Sequence, residues 1–191
     1  MFKLPKKLLI IDVETSSVNT DTASMIQLGA VIMEEDGTLT NDTFNTYIIP
    51  YTDEWSQSAQ EIHKLTPEFL NKNGVTLPIA INKFEIWASK LGYHDLKKTY
   101  YTAQWSCGFD TAILQNAYKK LKEVYPFHYR SFDISSIARF ELAKKGNLYM
   151  KSGCNKCAEQ LDIEVDKNKL HNGLYDAVLA GQILEKLAKG E

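Results

Sequence analysis

The chain has little of what marks secreted, fibrous or membrane proteins. Only three of its 191 residues are cysteine, too few for a disulfide framework. No apolar run approaches the roughly 20 residues of a membrane span, so no membrane partner is expected. The opening MFKLPKKLLIIDVE runs from a short apolar stretch into acids, with no small-residue cleavage site. It is not a signal peptide, and a cytoplasmic location is expected. Charge of one sign is also missing: the formal net charge is −2. No global basic field points to a long-duplex binder, although an enzyme that grips a strand end with metals and a few contacts remains allowed. The local clusters at Lys119, Lys120 and Lys122, and at Lys144 and Lys145, read as solvated faces.

What is present is a globular composition, with 44% hydrophobic residues in a length that fits one domain over residues 1–191. Leu8-Leu9-Ile10-Ile11 is a continuous apolar run, which predicts a strand covered on both faces and so central in a sheet. Residues 25–33 read as a second strand, Asp36-Gly37 as a turn and residues 43–49 as a third strand stopped by Pro50. Thr66-Pro67-Glu68 has the form of a helix cap, a first-position proline and a first-turn acid. Helical spacing covers residues 78–91, 109–121, 134–143 and 173–187, with one more strand at 99–103. Three early strands, then helices with another strand, make an α/β layered domain. Cys154 and Cys157 form a C-x-x-C on a helix that Ser152 would cap. No second pair completes a zinc site, so packing is the simpler reading, with a metal or redox role as the alternative.

Four acids occupy positions where a structural reading expects an apolar residue. Asp12 and Glu14 lie two apart at the end of the buried strand, which puts both on one face. Like charges held together in a semi-buried site are costly unless a cation offsets them. The plain alternative is a strand end running into water. Asp110 opens a helix whose apolar residues Ile113, Leu114, Ala117 and Leu121 share its face. The dipole favours an acid in a first turn, but on no particular face. Asp176 repeats the pattern with Leu179, Ala180, Ile183 and Leu187. His171 precedes that helix, with Asn172 and Gly173 between. Hard divalent cations take carboxylate oxygens, and Mg²⁺ uses a few of them together with waters and substrate phosphates. Two such ions bracketing a phosphodiester would stabilise both the attacking and the leaving oxygen. A histidine with an ordinary pKa of about 6.5 suits the general base.

In their order these motifs resemble the DnaQ-like 3′–5′ exonucleases, the histidine-type DEDD group. Ile11-Asp12-Val13-Glu14-Thr15 is similar to the first motif, and Ile62-His63-Lys64-Leu65-Thr66 to an I-H-G-I-T segment. Gly108-Phe109-Asp110 resembles the second motif, and His171 to Asp176 the third, H-x4-D. The resemblance implies an α/β, ribonuclease H-like fold with a mixed five-stranded central sheet flanked by helices. It implies two Mg²⁺ or Mn²⁺ ions, one held by Asp12, Glu14 and Asp176 beside the attacking water, the other served by Asp12 and Asp110. His171 would be the general base. The 3′ end of single-stranded RNA or DNA would be the partner, with Thr15 and the Glu14 backbone at the terminal nucleotide, Ile62 against a base and His63 nearby. For Ile62 the alternative is core packing, and for His63 a structural role.

Three departures bear on the expectation. Thr15-Ser16-Ser17 stands where many relatives carry T-T-G, and Gln27 where many carry glutamate. Trp105-Ser106-Cys107-Gly108-Phe109-Asp110 replaces H-N-x-x-F-D, as in the branch that trims small and histone-message RNAs. That tilts the expected substrate toward RNA. Trp105 either stacks on a base or packs in the core. The rivals are a DNA proofreading or repair exonuclease and an inactive nucleic-acid-binding module on the same fold.

Overall fold

A computed structural model of the protein describes residues 3–90, 95–105, 108–146 and 153–190. Its centre is β1 (Lys7–Thr15), in which Leu8, Leu9, Ile10 and Ile11 are all fully buried. β1 pairs antiparallel with β2 (Met25–Met33) and parallel with β4 (Tyr100–Gln104). β3 (Leu39–Tyr47) flanks β2, and β5 (Ser131–Asp133) flanks β4 in parallel. The sheet is therefore mixed and five-stranded, in the order β3-β2-β1-β4-β5. β3 starts and ends earlier than the pattern predicted. Its polar residues lie on the open flank of β2, and Ile48 turns away to bridge Val75.

The helices are α1 (Gln57–His63), α2 (Pro67–Asn73), α3 (Leu77–Ser89), α4 (Leu96–Thr99), α5 (Phe109–Leu121), α6 (Ile134–Lys144), α7 (Cys154–Gln160) and α8 (Gly173–Ala188). Thr66 caps α2 as its sequence suggests, its hydroxyl accepting from the Phe69 N–H at 3.2 Å. Leu91 and Ser152, which the sequence reading placed on helices, lie outside the described residues, and Gly153 is the N-cap of α7.

Alternation along β1 divides the core in two. Leu9, Ile11 and Val13 join Phe84 of α3 and Ile113, Leu114 and Ala117 of α5 on one face. Leu8 and Ile10 join α6, α7 and α8 on the other, through Ala138, Cys157, Leu179 and Ile183. Burying each such aliphatic side chain is worth roughly 1.5–3 kcal/mol. Asp12 and Glu14 continue the even-numbered face beyond the last apolar residue, beneath the start of α8.

That helix start touches the sheet backbone to backbone. Gly29 is the β2 partner of Asp12, and a Cβ placed on it would overlap the Gly173 carbonyl carbon and the Leu174 nitrogen. A Cβ on Gly173 would come 3.0 Å from the Asp12 carbonyl oxygen. No flexible side chain can yield at Gly29, so Gly29→Ala must push α8 off the sheet. Overpacking of this kind costs about 3 kcal/mol. Urea unfolding should show that loss, and a variant as stable as wild type would mean that the contact is not rigid.

Candidate active site

Three elements bring acids to the C-terminal end of β1. The strand supplies Asp12 and Glu14, and a register shift between Glu14 and Thr15 ends regular pairing there. The first turn of α5 supplies Asp110, only 8% exposed, whose Oδ1 accepts the Val13 backbone N–H at 3.0 Å. α5 is fixed by Thr111, whose N–H and hydroxyl both donate to Gln104 Oε1 at 2.8 Å. α8 supplies Asp176. Its Asn172 cap accepts from the Tyr175 N–H at 3.3 Å, and Gly173 N–H donates to Gln27 Oε1 at 3.2 Å. Gln27 in turn donates to Asn45 at 2.9 Å. The residue that departs from the glutamate of many relatives thus ties α8 to β2.

Asp176 Oδ2 accepts the His171 backbone N–H at 2.8 Å, and His171 holds a left-handed φ of 61°. This turn settles how a residue five positions before the acid stays beside it. Along a helix, five residues would point it about 140° away. Potential ligand atoms of Glu14, His171 and Asp176 all lie within 4.8 Å of one another.

The carboxyls are under electrostatic stress. Burial pushes Asp12 well above the usual carboxylate range, and Asp110, Glu14 and Asp176 push it further. Glu14 is pushed up to about 8, by burial first and then by Asp176 and Asp110. In Asp110 burial outweighs the Val13 hydrogen bond and lifts the group to about 6. Burial also raises Asp176, against the pull of the His171 N–H and ring.

Two cavities meet at Leu170 and His171. The one over the acids, about 230 Å³, is walled by Asp12, Asp176, Trp105 and Cys154. Trp105 is partly buried against the second core cluster and also lines this cavity. Cys154 was not expected here. Burial, with the charges of Asp176 and Asp12, pushes its thiol far up, and burial pushes Cys157 up to about 11. In the metal-free protein these shifts favour the neutral thiol of both residues.

The second cavity, about 370 Å³, is lined by Ile62, His63, Lys64, Lys169, Asn172 and Tyr175 among others. Ile62 is 53% exposed, which removes the core-packing reading. His63 is buried, and its Nδ1 accepts the Leu65 N–H at 3.0 Å. Its Nε2 makes no hydrogen bond of ordinary geometry, although the Thr15 backbone lies near enough to favour a proton on the ring. Burial dominates and lowers its pKa. Lys64 takes the glycine position of the similar I-H-G-I-T segment, with φ 62° as the C-cap of α1. Thr15 turns its hydroxyl onto the Ser17 carbonyl at 2.6 Å. Ser17 and Thr22 both donate to Glu54, and no positive φ occurs at Ser17, so this loop closes without the glycine of T-T-G.

Of the nine residues singled out from the sequence, Asp12, Ile62, His63, Trp105, His171 and Asp176 line these two cavities, Glu14 lies with His171 and Asp176, Asp110 holds the backbone next to Asp12, and Thr15 ends β1. Gln27, Cys154 and the Gly29–Gly173 contact join them. Gln27 had a sequence signal in its departure from the motif, and Cys154 in its C-x-x-C, which did not place it here.

The exonuclease family model matches residues 9–184, and the chain belongs to that family. Ribonuclease T of Actinobacillus pleuropneumoniae serotype 5b (strain L20) is 26% identical over 184 residues, covering 88% of this chain and 77% of that protein. Ribonuclease T of Histophilus somni (strain 129Pt) is 27% identical over the same shares. Among solved structures, cell-death related nuclease 4 superposes with a TM-score of 0.81 at 20% identity over 97% of this chain, which spans 65% of that protein's length. The nuclease domain of 3′hExo, a DEDDh family member bound to rAMP, gives 0.74 at 18% identity, covering 97% of this chain and 92% of that one. These likenesses place the fold among the ribonuclease H-like exonucleases. No described helix is long and apolar enough to cross a membrane.

The repulsion has a measurable sign. These carboxyls have higher pKa values folded than unfolded, so ionisation favours the unfolded chain. Without metal, stability should fall as pH rises from about 4.5 toward about 8, the range through which Glu14 is displaced. Asp12→Asn should flatten that fall and raise Tm at the alkaline end, by roughly 2–4 °C for each kcal/mol relieved. Thermal melts in chelator across this range test it. Parallel curves for wild type and variant would show that the carboxylates do not repel.

Proposed function

We propose that the chain is a divalent-metal-dependent 3′–5′ exonuclease. In this reading residues 1–191 form a single cytoplasmic domain that removes nucleoside 5′-monophosphates from single-stranded RNA, with Mg²⁺ or Mn²⁺ as the ion. The observation that carries the proposal is the convergence of four stressed carboxyls and His171 at one strand end. Carboxylate oxygens of high negative charge fit a hard cation, which has little preference for the soft sulfur of Cys154. Asp12, Glu14 and Asp176 would hold one ion, and Asp12 and Asp110 a second. Bound there, the two ions would neutralise the phosphate and the charge developing on the attacking and leaving oxygens.

The remaining work falls to other residues. His171 is exposed, and no hydrogen bond of its ring fixes it among the described residues. Its ring is free to turn over the acids and take the proton of the attacking water. The side cleft takes the terminal nucleoside. Ile62 offers an open apolar face to the base, and His63 Nε2 supplies a buried polar atom in need of a partner. Thr15, tied to Ser17, presents a rigid backbone at the sugar. Trp105 gives the neighbouring base a ring beside the acids. RNA is favoured over DNA because the two matched curated relatives carry the name ribonuclease T.

The test is degradation of end-labelled single-stranded RNA and DNA of one sequence, with Mg²⁺ and with chelator. RNA should shorten from its 3′ end, and only with the ion. DNA cleaved faster than RNA would make the protein a proofreading or repair enzyme, and cleavage of a closed circle would reject an exonuclease altogether. Asp12→Ala should lose nearly all activity. His171→Ala should lose about 10²–10⁴-fold in single turnover and still show a metal-dependent rise in Tm. A His171→Ala rate within about threefold of wild type would remove the histidine from the reaction.

A further inference from the structure

A second cluster of suitable chemistry stands at the far end of the sheet. β1 and β4 are parallel, with Lys7 opposite Tyr100, so the residues that lead into them share one end and Asp12 and Glu14 stand at the other. Five residues of strand separate Lys7 from Asp12, about 17 Å. At the far end three rings form a ladder. Tyr101 and His128 meet edge to face with centroids 4.6 Å apart, and His128 and Tyr129 stack at 4.6 Å and 24°. Tyr129, the outer rung, is 68% exposed.

Cations surround the ladder in a chain whose net charge is −2. The Arg130 guanidinium lies 5.3 Å from the Tyr129 ring centroid, and Lys6 Nζ lies 5.6 Å from that of Tyr101. Lys97 and Lys119 line a neighbouring cavity of about 330 Å³ whose wall includes Tyr129. Partial burial and the charges of Lys6, Arg130 and Lys97 hold His128 below its ordinary range, which shows that these charges converge on the rings. Three acids are at hand. Asp95 is taken by Lys98 at 3.2 Å and caps α4, Glu123 stands on the cavity wall, and Glu85 faces Tyr118, which lines the same cavity. α5 runs between the two ends, with Asp110 in its first turn and Lys119 in its last, about 14 Å apart along its axis.

We propose that this cluster is a second nucleic-acid contact, which holds the 5′-ward stretch of the strand whose 3′ end lies at the acids. Tyr129 stacks a base, and Arg130, Lys97 and Lys119 take the phosphates on either side. An exposed ring edged by cations matches the alternation of base and phosphate in a single strand. An acidic peptide would use the cations and leave the ring face unused. The assignment rests on the proposed nuclease function and adds a length requirement to it, since only strands long enough to reach from one end of the sheet to the other gain from the far contact.

Binding without turnover separates the two ideas. In chelator, fluorescence anisotropy would follow a single-stranded RNA of about twenty nucleotides and one of about four on wild type, the double variant Tyr129→Ala/Arg130→Ala, and Lys97→Ala. The double variant should bind the long RNA about tenfold more weakly. Each lost phosphate contact should lower the slope of log affinity against log salt by about 0.7. Turnover of the short RNA with Mg²⁺ should stay at the wild-type rate in all variants. Long-RNA affinity within about twofold of wild type would overturn the proposal. So would an equal loss on both lengths, or a wild type that binds the two lengths alike. Failure of wild type to cleave either RNA would reject the nuclease reading instead, while the difference between lengths in chelator would still report on the far cluster.

Discussion

Mutual repulsion among Asp12, Glu14, Asp110 and Asp176 is the constraint around which the rest of the molecule is arranged. Each is lifted above the ordinary carboxylate range, chiefly by burial and, for Asp12 and Glu14 above all, by the other acids. A fold optimised for stability alone would carry apolar residues at these places, as the stripes on α5 and α8 do one turn further on. The stability forgone locally is large, because a displaced carboxyl costs about 1.4 kcal/mol per pKa unit. It has to be offset by the buried run Leu8–Ile11 of β1, by β2, which is buried throughout, and by the two cores on either side of them. In the proposed reading a bound cation would reverse the sign, because charges that repel one another without it would become its ligands. Folding and metal affinity would then be coupled through the same four groups.

The approach of α8 to the sheet sets the scale of the site. Gly29 and Gly173 let a helix start lie directly on a strand pair, and Gln27 fastens that start through the Gly173 N–H. Either glycine replaced by a larger residue would lift Asp176 away from Glu14. The same contact explains why an amide serves at Gln27. Its oxygen accepts from the helix start while its nitrogen donates to Asn45, two opposite hydrogen-bonding roles that a carboxylate cannot fill. It also spares the site a fifth acid.

Periodicity carried most of the architecture. The unbroken apolar run at Leu8–Ile11 read as a central strand because only a strand covered on both faces has use for such a run. The acids of α5 and α8 were visible because they interrupt apolar stripes on those helices. Three features lay beyond that kind of reading. β3 has no fully buried residue, so its polar sequence carries little period-two signal, and its bounds were misplaced. β5 has three residues and owes its pairing to β4 rather than to its own pattern. The place of Cys154 over Asp12 and Asp176 depends on how α7 packs against α8, which no local spacing encodes.

Non-glycine residues in left-handed conformation mark where the backbone is shaped for something other than economy. Left-handed geometry costs an ordinary residue about 1–2 kcal/mol. Of the described non-glycine residues with positive φ, Lys122 caps α5 on the surface and Asp162 follows α7, both at helix ends where such turns recur. Lys64 and His171 are different, because both line the same side cleft. For His171 the strained turn keeps the backbone N–H on Asp176 while the side chain stays exposed, which in the proposed reading would separate holding the acid from moving a proton. For Lys64 a helix-ending turn that glycine would satisfy more easily instead puts a cation on the wall of the cleft, which Lys169, paired with Asp166 at 3.2 Å, also lines. In the proposed reading Lys64 would offset part of the field of the acids next door as a phosphate strand approaches.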